Sequence, residues 1–222
     1  MNSMQIPIWV CIVTGAGDRA FSAGNDLKYQ AQHGAEAMGE IMKGVKGGFG
    51  GNTARFDCFK PFIAAVNGLA LGGGFEIALA CDIILAAETA SFGFPEPRVG
   101  LMPGAGGVHR LPRQIPYHVA MGMIMTSKRI TAQEALQYGI VSEVVPLEKL
   151  METAEAWANE VMKGAPLSIR ASKEAAVKGI GMPLEKALAA SYPGVDRMYT
   201  SEDFIEGPKA FAEKRPPEWK GR

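Results

Sequence analysis

The sequence predicts an α/β fold with largely parallel strands, followed by a helical C-terminal part. Three observations predict it. Continuous apolar runs alternate with segments whose apolar residues recur at helical spacing. Glycines cluster in the connections between them and not in any low-complexity tract. After Pro146 the composition changes, and amphipathic helical patterns follow one another.

The elements follow in order. Residues 8–13 (IWVCIV) form a buried strand that ends at Thr14-Gly15-Ala16-Gly17. Residues 63–66 (IAAV) form a second strand, stopped by Asn67-Gly68, and residues 83–87 (IILAA) a third, after Asp82. Patches at 91–94 and 141–145 have strand propensity. Residues 75–80, 117–126 and 132–138 carry apolar side chains at helical spacing. Beyond Pro146, residues 147–163, 166–178 and 183–191 predict three helices, two of them opened by Pro166 and Pro183 where a first turn tolerates proline. A further short helix at 205–214 precedes a proline-punctuated tail. The chain therefore divides into an α/β core over 1–146 and a helical part over 147–222. No repeat of solenoid length is visible.

Composition excludes several classes. Lys and Arg number 23 and Asp and Glu 23, so there is no net charge to attract nucleic acid. No apolar stretch is long enough to span a membrane, because Asn67, Glu76 and Asp82 interrupt the longest candidate. The first residues, MNSMQIPIW, do not have the character of a secretory signal. Cys11, Cys58 and Cys81 lack metal-ligand spacing, and an odd count points to reduced thiols and a cytoplasmic location. His33, His109 and His118 share no triad or metal spacing, so no metal site is expected.

Two glycine-rich loops carry the chemical signal. One is Phe21-Ser22-Ala23-Gly24-Asn25-Asp26-Leu27; the other runs from Asn67 through Gly72-Gly73-Gly74 to Glu76. The second ends where a helical pattern begins. Backbone N–H groups there have no partner within the helix, and they suit an anion or a developing oxyanion. Neither loop is a nucleotide fingerprint: Thr14-Gly15-Ala16-Gly17 lacks the third glycine of G-x-G-x-x-G, and no P-loop lysine is present. Taken alone, Gly-Gly-Gly is equally well read as a tight strand-to-helix turn. Glu76, on the first helical turn, sits among Phe75, Ile77, Ala78 and Leu79, and Glu96 lies in a loop with few other charges. Two carboxylates in one pocket can hold a water and divide acid and base roles. A lone helical glutamate is ordinarily a solvated one; the apolar neighbours of Glu76 weaken that reading.

With these loops and glutamates in place, the sequence resembles the enoyl-CoA hydratase/isomerase (crotonase) family. The matching stretches are TGAGDRAFSAGNDLK, the run from KPFIAAVNGLALGGGFEIALACD through GLMPGAGGVHRLPR, SKRITAQEALQYGIVSEVVP and APLSIRASKEA, which together cover nearly the whole chain. The tail SEDFIEGPKAFAEKRPPEWKGR also resembles the carnitinyl-CoA dehydratase branch. The resemblance implies a spiral of β-β-α repeats, a helical C-terminal trimerisation part, and a homotrimer or a hexamer made of two trimers. It implies an acyl-CoA thioester as substrate, with coenzyme A as part of that substrate and no separate cofactor. Carried over residue by residue, the N–H groups of Ala23 and Gly73 correspond to the oxyanion hole, and Glu76 and Glu96 to the two catalytic glutamates. Gly24, Asn25, Asp26 and Lys28 fall on the stretch that passes CoA. Phe211 and Lys214 fall in a tail that can approach CoA from a neighbouring subunit.

The implied reaction is reversible hydration of a 2-enoyl-CoA to a 3-hydroxyacyl-CoA. Two departures bear on it. The chain begins where members of the family are already past a first repeat, which in them supplies part of the adenosine pocket; an inactive crotonase-like scaffold is therefore the reading from a different class. Pro103-Gly104-Ala105-Gly106 has no aspartate, whereas some isomerases and carnitinyl-CoA dehydratase carry an acidic residue at this loop. That favours simple hydration over carnitinyl-CoA dehydration or double-bond isomerisation.

Overall fold

The computed structural model describes residues 8–222. Its first strands alternate between two four-stranded sheets. The strands are β1 (Cys11–Thr14), β2 (Ala20–Ser22), β3 (Phe62–Val66), β4 (Leu69–Leu71), β5 (Ile83–Ala87), β6 (Ser91–Gly93), β7 (Ile130–Thr131) and β8 (Glu143–Val145). One sheet has the order β1-β3-β5-β8 and the other β2-β4-β6-β7. The chain visits one sheet, then the other, then makes a helix: α1 (Leu27–Lys43) follows β2, α2 (Gly73–Leu79) follows β4, and α3 (Gly107–Gln114) comes after β6. This is the β-β-α spiral that the resemblance implied.

Successive turns of the spiral add parallel strands. Ile63 to Val66 pair in step with Ile83 to Ala86, and Leu69 to Leu71 with Ser91 to Gly93. β7 runs antiparallel to β6. Because β3 is covered on both faces, Ile63, Ala64, Ala65 and Val66 have no exposed surface, which explains why it reads as a continuous apolar run. Phe75, Phe92 and Phe94 fill the centre, with ring centroids 5.4 Å and 4.8 Å from Phe75. Asn67 ties adjacent turns together: its amide donates to the Gly17 carbonyl at 2.7 Å and its carbonyl accepts from the Gly15 N–H at 3.1 Å.

The remaining helices are α4 (Tyr117–Thr126), α5 (Ala132–Gln137), α6 (Leu150–Met162), α7 (Pro166–Gly179), α8 (Leu184–Ala189), α9 (Pro193–Tyr199) and α10 (Glu202–Ala212). The described chain forms two compact units. The first contains residues 12–57 and 62–155, including both sheets apart from Cys11. The second contains residues 8–11, 58–61 and 156–222. Within the second, buried Glu174 accepts from the Gly194 N–H at 2.6 Å and ties α7 to α9. Its tail is strapped down by two acids. Asp203 accepts from the Lys220 and Gly221 N–H groups at 2.7 and 2.9 Å. Glu206 takes a bidentate pair from Arg215, which holds its carboxyl down at about 2.

Several elements are absent from the sequence expectation, and each has a physical reason. β2, β4 and β7 are two or three residues long, too short to display a period. β4 lies inside the segment read as a glycine loop. Gly34, at φ 74° in the middle of α1, kinks that helix and breaks its pattern. Pro112 sits inside α3 and Pro193 opens α9, where proline suggests a break. The spiral shows no sequence period because its turns differ in length: β1, β3 and β5 begin at Cys11, Phe62 and Ile83.

Candidate active site

Everything in the candidate site is organised around the N-terminus of α2, within the first compact unit. Gly72 caps that helix with φ 57° and ψ −127°, a left-handed backbone that favours glycine. It is also needed for space. A Cβ at Gly72 would lie 2.8 Å from the Glu96 Oε1, so the Glu96 carboxylate rests against the helix entrance. Glu96 is delivered by a 3-10 turn, Glu96–Val99, that follows β6. Its Oε2 is buried and has no hydrogen-bond partner among the described residues. An unpartnered buried oxygen is costly in a finished core, and its place is at a site that receives something.

Glu76 stands on the first turn of the same helix and is 3% exposed. Its Oε1 accepts from the Gly107 N–H at 2.7 Å, and the Ala105 backbone also favours its charged form. Burial pushes the Glu76 carboxyl above the ordinary range, against the pull of these amides and of the Arg110 charge. Burial also raises Glu96; its own backbone amide opposes the rise and the Glu76 charge adds to it. The structure thus brings the two glutamates into one electrostatic neighbourhood.

The first glycine loop packs on the second. Gly24, at φ 88°, has no room for a side chain, because a Cβ would lie 2.9 Å from the Gly73 nitrogen and 3.0 Å from the Leu71 carbonyl oxygen. A Cβ at Gly74 would lie 2.0 Å from the Ser22 carbonyl oxygen. Ala23 therefore sits beside the first turn of α2, where Gly73 has an N–H without an intrahelical partner. Phe49 closes over Gly73: a Cβ there would come within 2.5 Å of its ring.

The other sequence-derived candidates fall elsewhere. Asn25 donates to the Gln30 side chain at 2.9 Å, and Asp26 caps α1 by accepting from the Lys28 and Tyr29 N–H groups at 2.9 and 3.0 Å. Lys28 is exposed at the start of that helix. Phe211, 87% exposed, and Lys214, in the left-handed region at φ 54°, belong to the second compact unit. Among the described residues no cluster of potential metal ligands occurs, and the three histidines are exposed. Asp82, just ahead of β5, accepts from the Phe62 N–H at the start of β3 at 2.8 Å.

Sequence reasoning passed over Arg110, although it weighed the Pro103–Gly106 loop before it. Arg110 donates to the Thr53 carbonyl at 2.7 Å and to the Ala105 carbonyl at 3.4 Å. Burial pulls its guanidinium below the usual range, and the Glu76 charge acts against that. No sequence signal marks it, because His109 and Arg113 stand in the same short run.

The arrangement has a stability consequence. Both carboxyls are raised in the folded state, so near and above pH 4.5 the folded chain holds protons that the unfolded chain has lost. Stability contributed by these groups is therefore present at low pH and declines as pH rises through their folded values. Glu96→Gln removes the part of that decline due to Glu96. The expected outcome is a Tm at pH 7 equal to or above wild type, with the difference shrinking toward pH 5, read by scanning calorimetry. A variant markedly less stable at pH 7 would show that the Glu96 charge is satisfied in the native state.

Comparison with known proteins places this geometry. Residues 6–222 match the model of the enoyl-CoA hydratase/isomerase family. Among curated relatives, a carnitinyl-CoA dehydratase of Salmonella typhi is 48% identical over 219 residues, covering 96% of this chain and 82% of that protein. The structure is similar to an enoyl-CoA hydratase from Bacillus anthracis, with TM-score 0.88 and 41% identity over 96% of this chain and 81% of that one. It is also similar to an enoyl-CoA hydratase from Mycobacterium tuberculosis, with TM-score 0.86 and 38% identity over 96% and 81% of the two chains.

Proposed function

The chain belongs to the enoyl-CoA hydratase/isomerase family, and from that premise we propose that it reversibly adds water to a 2-enoyl-CoA, using Glu76, Glu96 and a backbone oxyanion hole. The observation that carries the reading is the convergence of the buried Glu76 and the half-buried Glu96 on the α2 N-terminus against which Gly24 packs.

The thioester carbonyl oxygen lies between the Ala23 and Gly73 N–H groups. They hold the negative charge that accumulates as the enolate forms, and one such donor contributes roughly 3–4 kcal/mol in the transition state. A water sits between the carboxyls. Glu76 receives amide hydrogen bonds and the Arg110 charge, which favour its ionised form, so Glu76 takes the proton from the water as its oxygen attacks C3. Glu96 has the Glu76 charge nearby and fewer compensating partners, so it is the protonated member and delivers its proton to C2. Reversal restores the enoyl thioester. Coenzyme A enters as part of the substrate, and the chemistry calls for no separate cofactor. Gly24, Asn25, Asp26 and Lys28 lie along the CoA path, and Phe211 and Lys214 reach it from a neighbouring subunit.

Dehydration of carnitinyl-CoA is the second reading, favoured by the 48% identity to a relative of that name. It uses the same two glutamates in reverse. Pro103-Gly104-Ala105-Gly106, without an acidic side chain, is the reason hydration stands first.

Glu76→Gln and Glu96→Gln should each lower kcat for hydration of crotonyl-CoA by about 10²–10⁴-fold. Binding of a saturated acyl-CoA, followed by isothermal titration, should change little. Wild-type turnover in both variants would end the mechanism, and absence of binding by the wild-type chain would favour the scaffold reading. Running wild type against carnitinyl-CoA separates the first reading from the second.

Assembly completes the proposal. Ile180, Leu184, Leu188 and Phe211 are 79, 74, 78 and 87% exposed in the single chain, a concentration of large apolar residues in the helical part that calls for a partner. A homotrimer, or two trimers paired as a hexamer, covers them. Light scattering at several concentrations should give the trimer or hexamer mass; a stable monomer would contradict both the assembly and a cross-subunit role for Phe211 and Lys214.

A further inference from the structure

Arg110 is half-buried on α3 and is not one of the proposed acid–base pair. Its environment is built around it. Its fork reaches the Thr53 carbonyl at 2.7 Å and the Ala105 carbonyl at 3.4 Å. Gly106 has φ 114°, and a Cβ there would lie 2.1 Å from Arg110 Nη1, so the guanidinium occupies space that the loop leaves open. Gly107, which follows Gly106, donates its N–H to Glu76 at 2.7 Å, and Ala105, which precedes it, accepts from Arg110.

We propose that Arg110 is a positioning residue for Glu76: anchored on Thr53 and Ala105, it fixes the Ala105-Gly106-Gly107 turn that holds this carboxylate and supplies the positive charge that balances it. The proposal rests on the catalytic reading of Glu76. One side of Arg110 is tied to the segment that carries Phe49, which covers Gly73. The other is tied to the amide turn. The same side chain thus braces the roof of the oxyanion loop and the base.

Among the described residues of the elements packed most closely on α2, no other cation is placed to take over this role. Those elements are β2, β4, the Phe49–Gly51 turn and α3. The first three carry no titratable side chain, and α3 has His109 and Arg113 besides Arg110, both exposed. The remaining neighbours are Glu96, which repels the Glu76 charge, and Cys81 at the end of α2, which lies near Arg110. Burial pushes Glu76 up and the Arg110 charge opposes this, so loss of the charge should make Glu76 harder to ionise.

The test compares wild type, Arg110→Lys and Arg110→Met. It uses the pH profile of kcat/KM for crotonyl-CoA and a carbon-13 NMR titration of the Glu76 carboxyl, assigned with Glu76→Gln. Arg110→Met should raise both the acid limb and the Glu76 titration by about one pH unit. Arg110→Lys keeps a charge but not the planar fork, so both should stay near wild type while kcat falls. If Arg110→Met does not fold, Arg110→Gln, which removes the charge and retains donors, takes its place. An unchanged Glu76 titration in a folded, charge-free variant would overturn the proposal. The NMR arm stands without turnover: a chain inactive on crotonyl-CoA whose Glu76 titration still moves with Arg110 would sink the proposed reaction and leave the electrostatic assignment intact.

Discussion

The structure depends on keeping a carboxylate in its interior. Glu76 is 3% exposed on a helix whose other inward residues are Gly74, Phe75, Ala78 and Leu79. Taking an ion this far from water costs several kcal/mol even after relaxation. The offset is local: a 2.7 Å hydrogen bond from Gly107, the favourable backbone of Ala105, and the Arg110 charge. These partners come from one turn and the helix after it, which explains why α3 starts where it does and why Gly106 and Gly107 must lack side chains. A Cβ at Gly107 would strike Phe94 at 2.6 Å, so the loop that serves Glu76 also lies directly on the aromatic core.

Backbone approach is the second constraint. Two strands from different turns of the spiral, β2 and β4, pair in parallel and deliver their C-terminal ends side by side. The loops leaving those ends touch through glycines, Gly24 on Gly73 and Gly74 under Ser22. Parallel pairing gives the coarse placement, and the missing side chains give the last few ångströms. The N–H groups at this junction are consequently held by the scaffold and need no loop closure to assemble them.

The legibility of the fold followed element length. Strands of four or five residues buried on both faces, such as Phe62–Val66 and Ile83–Ala87, were readable as apolar runs, and Tyr117–Thr126 was readable by its period. β2, β4 and β7 were not, because a period needs more residues than they contain; the equally short β6 and β8 showed only as strand propensity at 91–94 and 141–145. The candidate site was legible where it depends on residue type: glycines beside a helix start, and glutamates in apolar settings. It was illegible where it depends on packing. Nothing in the composition distinguishes Arg110 from the neighbouring Arg113, yet one points at the Thr53 carbonyl and the other is exposed. Asn67 likewise read as a strand stop; its hydrogen bonds to Gly15 and Gly17 appear only when turns of the spiral are stacked. Asp26 read as a ligand-path residue, and its side chain proves to cap α1 as well.

A single picture connects these observations. Glycine-only contacts bring two loops together at a helix N-terminus, and that helix carries one carboxylate inward while a neighbouring turn rests the other on its cap. The central claim is that Glu76 and Glu96 act as one unit on one water. A double-mutant cycle on kcat for crotonyl-CoA hydration tests it most directly, using Glu76→Gln, Glu96→Gln and the combined variant. Acting as a unit, the pair predicts a double variant about as slow as the slower single one. Losses that multiply in the double variant would mean that the two glutamates work independently, and would contradict the account.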